Sequence, residues 1–221
     1  MKVLITGTSS GIGKACAERF LLEGHEVIGI DRLPASIDHP AYRHFTADIR
    51  EADALPEIEN VEILVNNAGV QGSGDDISVN LRGTIAVTEK YIAGNPALKS
   101  VLFNASASAV SGQEFPEYAA SKAGLLGYMR NVAIRMAPRG ATCNAVSLGG
   151  VLTASNNPVM NDPVLWEKIM AVTPLKRWMT EEEAASWVYF LTVTNRSMSG
   201  QNVLIDNGEK DLNPTFVWPE E

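Results

Sequence analysis

Residues Val3 to Gly24 read VLITGTSSGIGKACAERFLLEG. A short apolar run meets a glycine-rich turn, TGTSSGIG (Thr6 to Gly13), and an amphipathic stretch follows at once. This order predicts a strand, a tight turn and a helix. Small residues in such a turn let the backbone approach a pyrophosphate. The helix N-terminus adds unpaired N–H groups and the positive end of its dipole. The candidate phosphate-binding residues are therefore Gly7, Ser9, Ser10, Gly11, Ile12 and Gly13. A glycine turn alone is a weak signal; its place after a first strand and before a helix makes it informative.

Outward from this unit, short apolar runs alternate with amphipathic ones along the chain. Strands are predicted at Val3–Thr6, Val27–Ile30, Tyr42–Thr46, Ile63–Val65, Val101–Asn104, Cys143–Val146 and Val203–Ile205. Helices are predicted to begin near Gly11, Ile77, Pro116, Pro163 and Glu181. This is the pattern of an α/β, Rossmann-type, doubly wound parallel sheet of about seven strands with helices on both faces. No repeat or linker divides residues 1–221, so one domain is expected. The helix from Pro116 should stop before Pro138, which cannot sit in a helix interior. The stretches Asp48–Ile63 and Gly69–Asn80 are too short for full helices and predict irregular ones. Residues 153–175 read as a substrate lid, and the tail from Gly208 as an extended arm carrying Phe216 and Trp218.

Hydrophobic residues make up 45% of the 221 and charged residues 20%, with a net charge of −8. The length suits a sizeable core. Without a Lys/Arg block, the acidity argues against nucleic acid and anionic membranes as partners. No apolar run reaches the roughly 20 residues of a membrane span. The two cysteines, Cys16 and Cys143, are too few for a disulfide framework and read as buried thiols. A cytoplasmic setting is the expectation.

Two further features carry chemistry. Asp31 ends the second strand in VIGIDR, where a carboxylate can bond ribose hydroxyls and repel a 2′-phosphate. That favours NAD over NADP, with Arg32 as the counter-evidence. Tyr118 and Lys122 stand four apart in YAASK, on one face of a predicted helix. A free phenol has a pKa of roughly 10, and an ammonium beside it favours the phenolate. The pair makes a general acid/base tuned toward neutrality.

Taken in order, TGTSSGIG, NNAG (Asn66–Gly69), the Asn80 of VNLRGT, the serines of NASAS, YAASK and GQNVLIDNG resemble the short-chain dehydrogenase/reductase family from Lys2 to about Gly208. The resemblance implies an NAD(P)-dependent alcohol dehydrogenase or ketone reductase with Asn80, Ser106, Tyr118 and Lys122 as catalytic residues. Tyr118 exchanges the proton, Lys122 bonds the nicotinamide ribose, Ser106 holds the substrate oxygen, and Asn80 kinks its helix and anchors a water relay. The resemblance also implies cofactor contacts from Asp48, Ile49, Asn67, Ala68, Gly69, Gly149, Val151 and Thr153, and a homodimer or homotetramer.

Three departures qualify that picture. Ser106 lies slightly closer to the tyrosine than the family's serine usually does, which keeps Ser108 as an alternate. Leu148 stands where the family usually has proline, with Gly149 and Gly150 expected to recover the turn geometry. The shortened Gly69–Asn80 segment should open one wall of the substrate entrance and alter the dimer contact. For the substrate, Val159, Met160, Leu165, Trp166, Ile169 and Met170 suggest a hydrophobic body, whereas Asn156, Asn157 and Asn161 suit a polyol. The competing readings are a catalytically weak cofactor-binding or sensing protein and a sugar-nucleotide epimerase or dehydratase. The second has too little chain after its closing strand for a separate substrate domain.

Overall fold

Alternate residues of the strands face opposite ways, and both ways are apolar. Val3, Ile5, Ile63 and Val65 are fully buried on one face, and Leu4, Leu64 and Phe103 on the other. A sheet buried on both faces needs helices on both, which is the parallel solution. In the computed structural model, which describes residues 1–113 and 115–212, seven strands form that sheet. They are β1 (Lys2–Thr6), β2 (Glu26–Asp31), β3 (Tyr42–Thr46), β4 (Ile63–Asn66), β5 (Ser100–Asn104), β6 (Thr142–Leu148) and β7 (Asn202–Ile205). Their spatial order is β3-β2-β1-β4-β5-β6-β7, with every pair parallel. The order reverses direction between β1 and β4. A crevice opens there at the carboxyl ends of the strands.

Helices α1 (Gly11–Leu22) and α7 (Glu181–Tyr189) cover one face, with Phe20, Leu21, Ala184 and Val188 buried beneath them. Helices α2 (Thr84–Ile92) and α4 (Pro116–Met136) cover the other, through Val87, Tyr91, Leu125, Met129 and Met136. The short helix α3 (Ser108–Ser111) lies between β5 and α4. The stop expected before Pro138 falls at Met136. The proline opens a 3-10 turn, Ala137–Arg139, and Gly140 closes it at φ 68°. Both cysteines are free and buried, and burial pushes the Cys16 thiol up to about 12 and that of Cys143 up as well.

The two short connections are irregular, as expected. Asp48–Ile63 holds only the 3-10 turn Ala52–Ala54. The segment after Gly69 loops and then enters α2 through a π-helix, Ile77–Gly83.

Other expectations need correction. Strand β6 runs two residues past Val146: Leu148 is in register with Ile205, the Gly149 N–H donates to the Ile205 carbonyl at 2.9 Å, and the Leu148 carbonyl accepts from Ala107 N–H at 2.8 Å. Neither Gly149 nor Gly150 has a positive φ. They are required instead by close approach. A Cβ on Gly149 would lie 2.7 Å from the Asp206 Cβ, and one on Gly150 2.1 Å from the Trp178 indole. The chain after β7 is not extended at first. The Asp206 carboxylate accepts from the Gly208 and Lys210 N–H groups, and Leu212 N–H reaches the Gly208 carbonyl, so 206–212 coils back. Phe216 and Trp218 lie outside the described residues. The expected lid comprises a 3-10 turn (Ala154–Asn156), α5 (Asn157–Met160) and α6 (Pro163–Val172). No side chain of α5 or α6 is buried.

Candidate active site

The crevice is a groove of about 710 Å³ along the carboxyl ends of the strands. It runs from Asp31 and Asp48, beyond β2 and β3, to Gly149 and Thr153, beyond β6. Of the residues singled out in the sequence, Gly7, Ser10, Gly11, Ile12, Gly13, Asp31, Arg32, Asp48, Ile49, Asn67, Ala68, Gly69, Ser106, Ser108, Tyr118, Lys122, Gly149, Val151, Thr153, Asn156 and Val159 line it. Ser9 and Asn80 stand behind the wall.

The glycine turn is shaped by closeness. Gly7 has φ 77°, a left-handed backbone that favours glycine. Its N–H donates to the Ile30 carbonyl at 2.7 Å. A Cβ on Gly13 would fall 1.9 Å from the Gly7 carbonyl oxygen, so the helix could not come so near the strand with any other residue. Helix α1 then starts with no side-chain cap and no acid in its first turn. Its leading N–H groups are available to an anion from outside.

At the β2 end, the Asp31 carboxylate accepts from Ser9 N–H at 2.9 Å and Leu33 N–H at 3.0 Å. Ser9 thus orients the carboxylate, and its own hydroxyl is spent on the Leu33 and Pro34 carbonyls. Arg32 is exposed at the groove edge. Asp48 is bound by Arg50 at 2.8 Å, and that guanidinium holds its carboxyl below the usual range. Arg50 also reaches Asp75 at 3.1 Å, tying this wall to the short loop. Ile49 is buried under Gly83.

The reactive cluster rests on α4. Lys122 is buried, lies 5.8 Å from the Tyr118 ring centre and donates to the Asn104 carbonyl at 2.9 Å. Burial pushes its ammonium down to about 8, partly opposed by the carboxylate of Asp76. Gly69 makes room for this arrangement. A Cβ there would stand 3.0 Å from Asn80 Oδ1 and 3.4 Å from Lys122 Nζ. Asn80 is fully buried in the π-helix. Its Oδ1 accepts from Val70 N–H at 2.8 Å, and its Nδ2 donates to the Val70 carbonyl at 2.8 Å and to Ser121 Oγ at 3.0 Å. Ser121 Oγ donates in turn to the Tyr118 carbonyl at 2.7 Å. One asparagine therefore pins the shortened loop to the turn of α4 that carries both Tyr118 and Lys122. π-Helical turns are rare and concentrate at functional sites.

Both candidate serines are buried and adjacent, with Ser106 Oγ donating to Ser108 Oγ at 3.2 Å. Asn67 holds the sheet end together. Its Nδ2 bonds the Thr6 carbonyl at 3.0 Å, and its Oδ1 accepts from Asn104 Nδ2 at 2.8 Å. Val151 is bridged to Met179, and Thr153 shares a hydrogen bond with Ser155.

Three residues on or behind this groove escaped the sequence reading. Asp76 is buried and accepts from the Gly72 and Ser73 N–H groups, which shapes the short loop. An aspartate before a helix was the available signal. Trp178 and Glu209 line the far end of the groove, and no local pattern marks either.

An open parallel sheet with a glycine turn at its reversal point defines the Rossmann-type, dinucleotide-binding class. Comparison with known proteins narrows this. The family model described as enoyl-(acyl carrier protein) reductase matches residues 7–210. The chain is 28% identical over 244 residues to a glucose 1-dehydrogenase of Gluconobacter oxydans, covering 94% of this chain and 91% of that protein. A crystal structure of a short-chain dehydrogenase/reductase family oxidoreductase from Burkholderia thailandensis superposes with a TM-score of 0.86 at 29% identity, covering 96% of this chain and 93% of that one. The same fold, at TM-scores of 0.84, has been solved with bound NADP in an Agrobacterium tumefaciens protein at 23% identity and with NADH in a 4-hydroxyisoleucine dehydrogenase at 22%. These cover 94% and 96% of this chain and 95% and 99% of those. The chain belongs to the short-chain dehydrogenase/reductase family of oxidoreductases.

Proposed function

We propose that the protein is an NAD(H)-dependent enzyme that interconverts a secondary alcohol and a ketone. The observation that carries this is the joint presence, on one groove, of the Tyr118–Lys122 pair, the Ser106 hydroxyl and an uncapped helix start. The donor set fits a dinucleotide. Free N–H groups of α1 suit the pyrophosphate, and Asp31 at the end of β2 suits two ribose hydroxyls and opposes a 2′-phosphate. Lys122 suits the nicotinamide ribose, and the backbones around Gly149 and Val151 and the Thr153 hydroxyl suit the carboxamide end. When bound, the nicotinamide supplies or accepts a hydride.

The chain's own residues do the rest. Tyr118 Oη takes the alcohol proton in oxidation and returns it in reduction. Lys122, cationic when working, favours the phenolate and so moves that exchange toward neutral pH. Ser106 Oγ, with Ser108 as its alternate, donates to the substrate oxygen as charge develops there. Asn80 has its side chain fully committed, so its part in proton passage falls to its backbone carbonyl. Helices α5 and α6, packed lightly over the groove end, act as the lid. The protein works as a homodimer or homotetramer.

The test is Tyr118→Phe with cofactor binding measured alongside. NADH should bind the wild type more tightly than NADPH, and the variant should keep that binding while losing 10²- to 10⁴-fold in turnover. Near-wild-type turnover in the variant sinks the role of Tyr118. A tighter grip on NADPH would transfer the ribose reading to Arg32. NADH binding with no turnover of any alcohol or ketone favours the cofactor-sensing alternative.

A further inference from the structure

Charge is distributed unevenly along the groove. Among its described lining residues, the aspartates, glutamates, lysines and arginines are Asp31, Arg32, Asp48, Lys122 and Glu209. The first three sit beyond β2 and β3, and Lys122 is in the reactive cluster. Glu209 stands apart. It follows β7, at the end where the lid elements and Trp178 close the groove. The described substrate end therefore holds one carboxylate and no cation.

That carboxylate is built in. The coil at 206–212 presents it, anchored by Asp206. Glu209 Oε1 accepts from Trp178 Nε1 at 3.3 Å and from Thr173 Oγ1 at 2.7 Å, a hydroxyl whose one hydrogen it shares with the Ile169 carbonyl at 2.8 Å. Trp178 is held in turn by the bare backbone of Gly150 and by an edge-on contact with Trp166 of α6, at 5.0 Å between ring centres. Both donors to Glu209 are neutral, so its charge is not cancelled. Its second oxygen, Oε2, has no hydrogen-bond partner among the described residues. A carboxylate with spare lone pairs, in a groove, selects for donors and against anions.

We infer that Glu209 is a specificity-determining residue, and that the substrate carries hydrogen-bond donors, hydroxyl or ammonium, on the part remote from the reacting carbon. Carboxylate, phosphate and acyl-carrier substrates are disfavoured, since no described cation lines that end of the groove beside Glu209. This rests on the dehydrogenase reading and names the substrate class of the same site. The apolar stripe of the lid does not oppose it: Leu165 is exposed, and of the six stripe residues Val159 alone lines the groove. Asn156 is there too, with one Nδ2 hydrogen on the Val151 carbonyl at 2.8 Å.

The test uses secondary alcohols of one chain length that end in a hydroxyl, an ammonium or a carboxylate. Their kcat/KM with NAD is measured for the wild type, Glu209→Gln and Glu209→Lys, and NADH affinity is followed by tryptophan-to-cofactor energy transfer. The wild type should prefer the donor-ended alcohols over the carboxylate by tenfold or more. Glu209→Lys should reverse that order. Glu209→Gln, which removes the charge but keeps an acceptor, should lower kcat/KM for the ammonium alcohol more than for the hydroxyl one. Wild-type selectivity within twofold across the set, or an order unmoved by Glu209→Lys in a variant that still binds NADH, overturns the assignment of Glu209 alone. Failure of the wild type to bind either cofactor overturns the dehydrogenase reading, and this inference with it.

Discussion

Lys122 is costly to keep where it is. An ammonium out of water is disfavoured, and its pKa falls from 10.5 to about 8 in the fold. The sign of the linkage follows. Between about pH 8 and 10.5 the unfolded chain holds a proton that the folded chain has lost, so this group's contribution to stability rises with pH there. Below pH 8 the folded protein carries the whole penalty, on the order of 3 kcal/mol at most for such a shift. The hydrogen bond to the Asn104 carbonyl returns part of it. In the proposed function that cost is offset by the work of Lys122 beside Tyr118 and the cofactor. Lys122→Met should therefore reduce turnover by at least about a hundredfold without lowering the unfolding temperature at pH 7. The wild type should gain on the variant as pH rises from 8 to 10. A variant that melts several degrees lower at pH 7 would make Lys122 a structural residue.

Among the elements, the turn into α1 and helix α4 show how differently two glycines can matter. A Cβ on Gly13 would meet the Gly7 carbonyl at 1.9 Å and Asn67 Nδ2 at 2.4 Å, both part of the sheet's end. Gly13→Ala should separate α1 from β1, cost roughly 1–3 kcal/mol as overpacking does, and weaken NADH binding tenfold or more. Gly127, inside α4, has open space where its Cβ would be. Gly127→Ala should raise stability by about 0.5–1 kcal/mol through helix propensity, with cofactor affinity unchanged. Denaturant midpoints and NADH titrations on the two variants check both. Equal effects would mean that closeness at the turn is not what selects its glycine. The π-helix before α2 belongs to the same level. Within it Asn80 reaches Val70 and Ser121 at once.

Across the protein as a unit, the groove spans the reversal between β1 and β4 and takes residues from both halves of the sheet. A ligand lying along it binds the native state and not the unfolded chain. Saturation with NADH at a hundredfold over its dissociation constant should add about 2.7 kcal/mol. For a chain of this size that is a rise of roughly 5–10 °C in melting temperature. NADPH at equal concentration should raise it less if Asp31, held by the Ser9 and Leu33 N–H groups, reads the ribose as proposed. Thermal melts with each cofactor distinguish the two. An equal or larger rise with NADPH would mean that the exposed Arg32 outweighs Asp31.

Fold class and most of the groove were legible in the sequence because they depend on local rules. Apolar runs of strand length, the glycine turn between strand and helix, and the i, i+4 spacing of Tyr118 and Lys122 all act over a few residues. Pro138 ended α4 for an equally local reason. What the linear order could not carry were contacts between distant segments. Trp178 lies against Gly150, Asp76 shapes the loop beneath Lys122, and Asn80 ties Val70 to Ser121. Glu209 reaches the groove because Asp206 coils the chain after β7 and Thr173 and Trp178 receive its carboxylate. Asn80 was marked by its motif and Asp76 only by its place before a helix, but Trp178 and Glu209 have no neighbour in sequence that announces a role. Their positions follow from packing, which brings together side chains tens of residues apart once the sheet has formed.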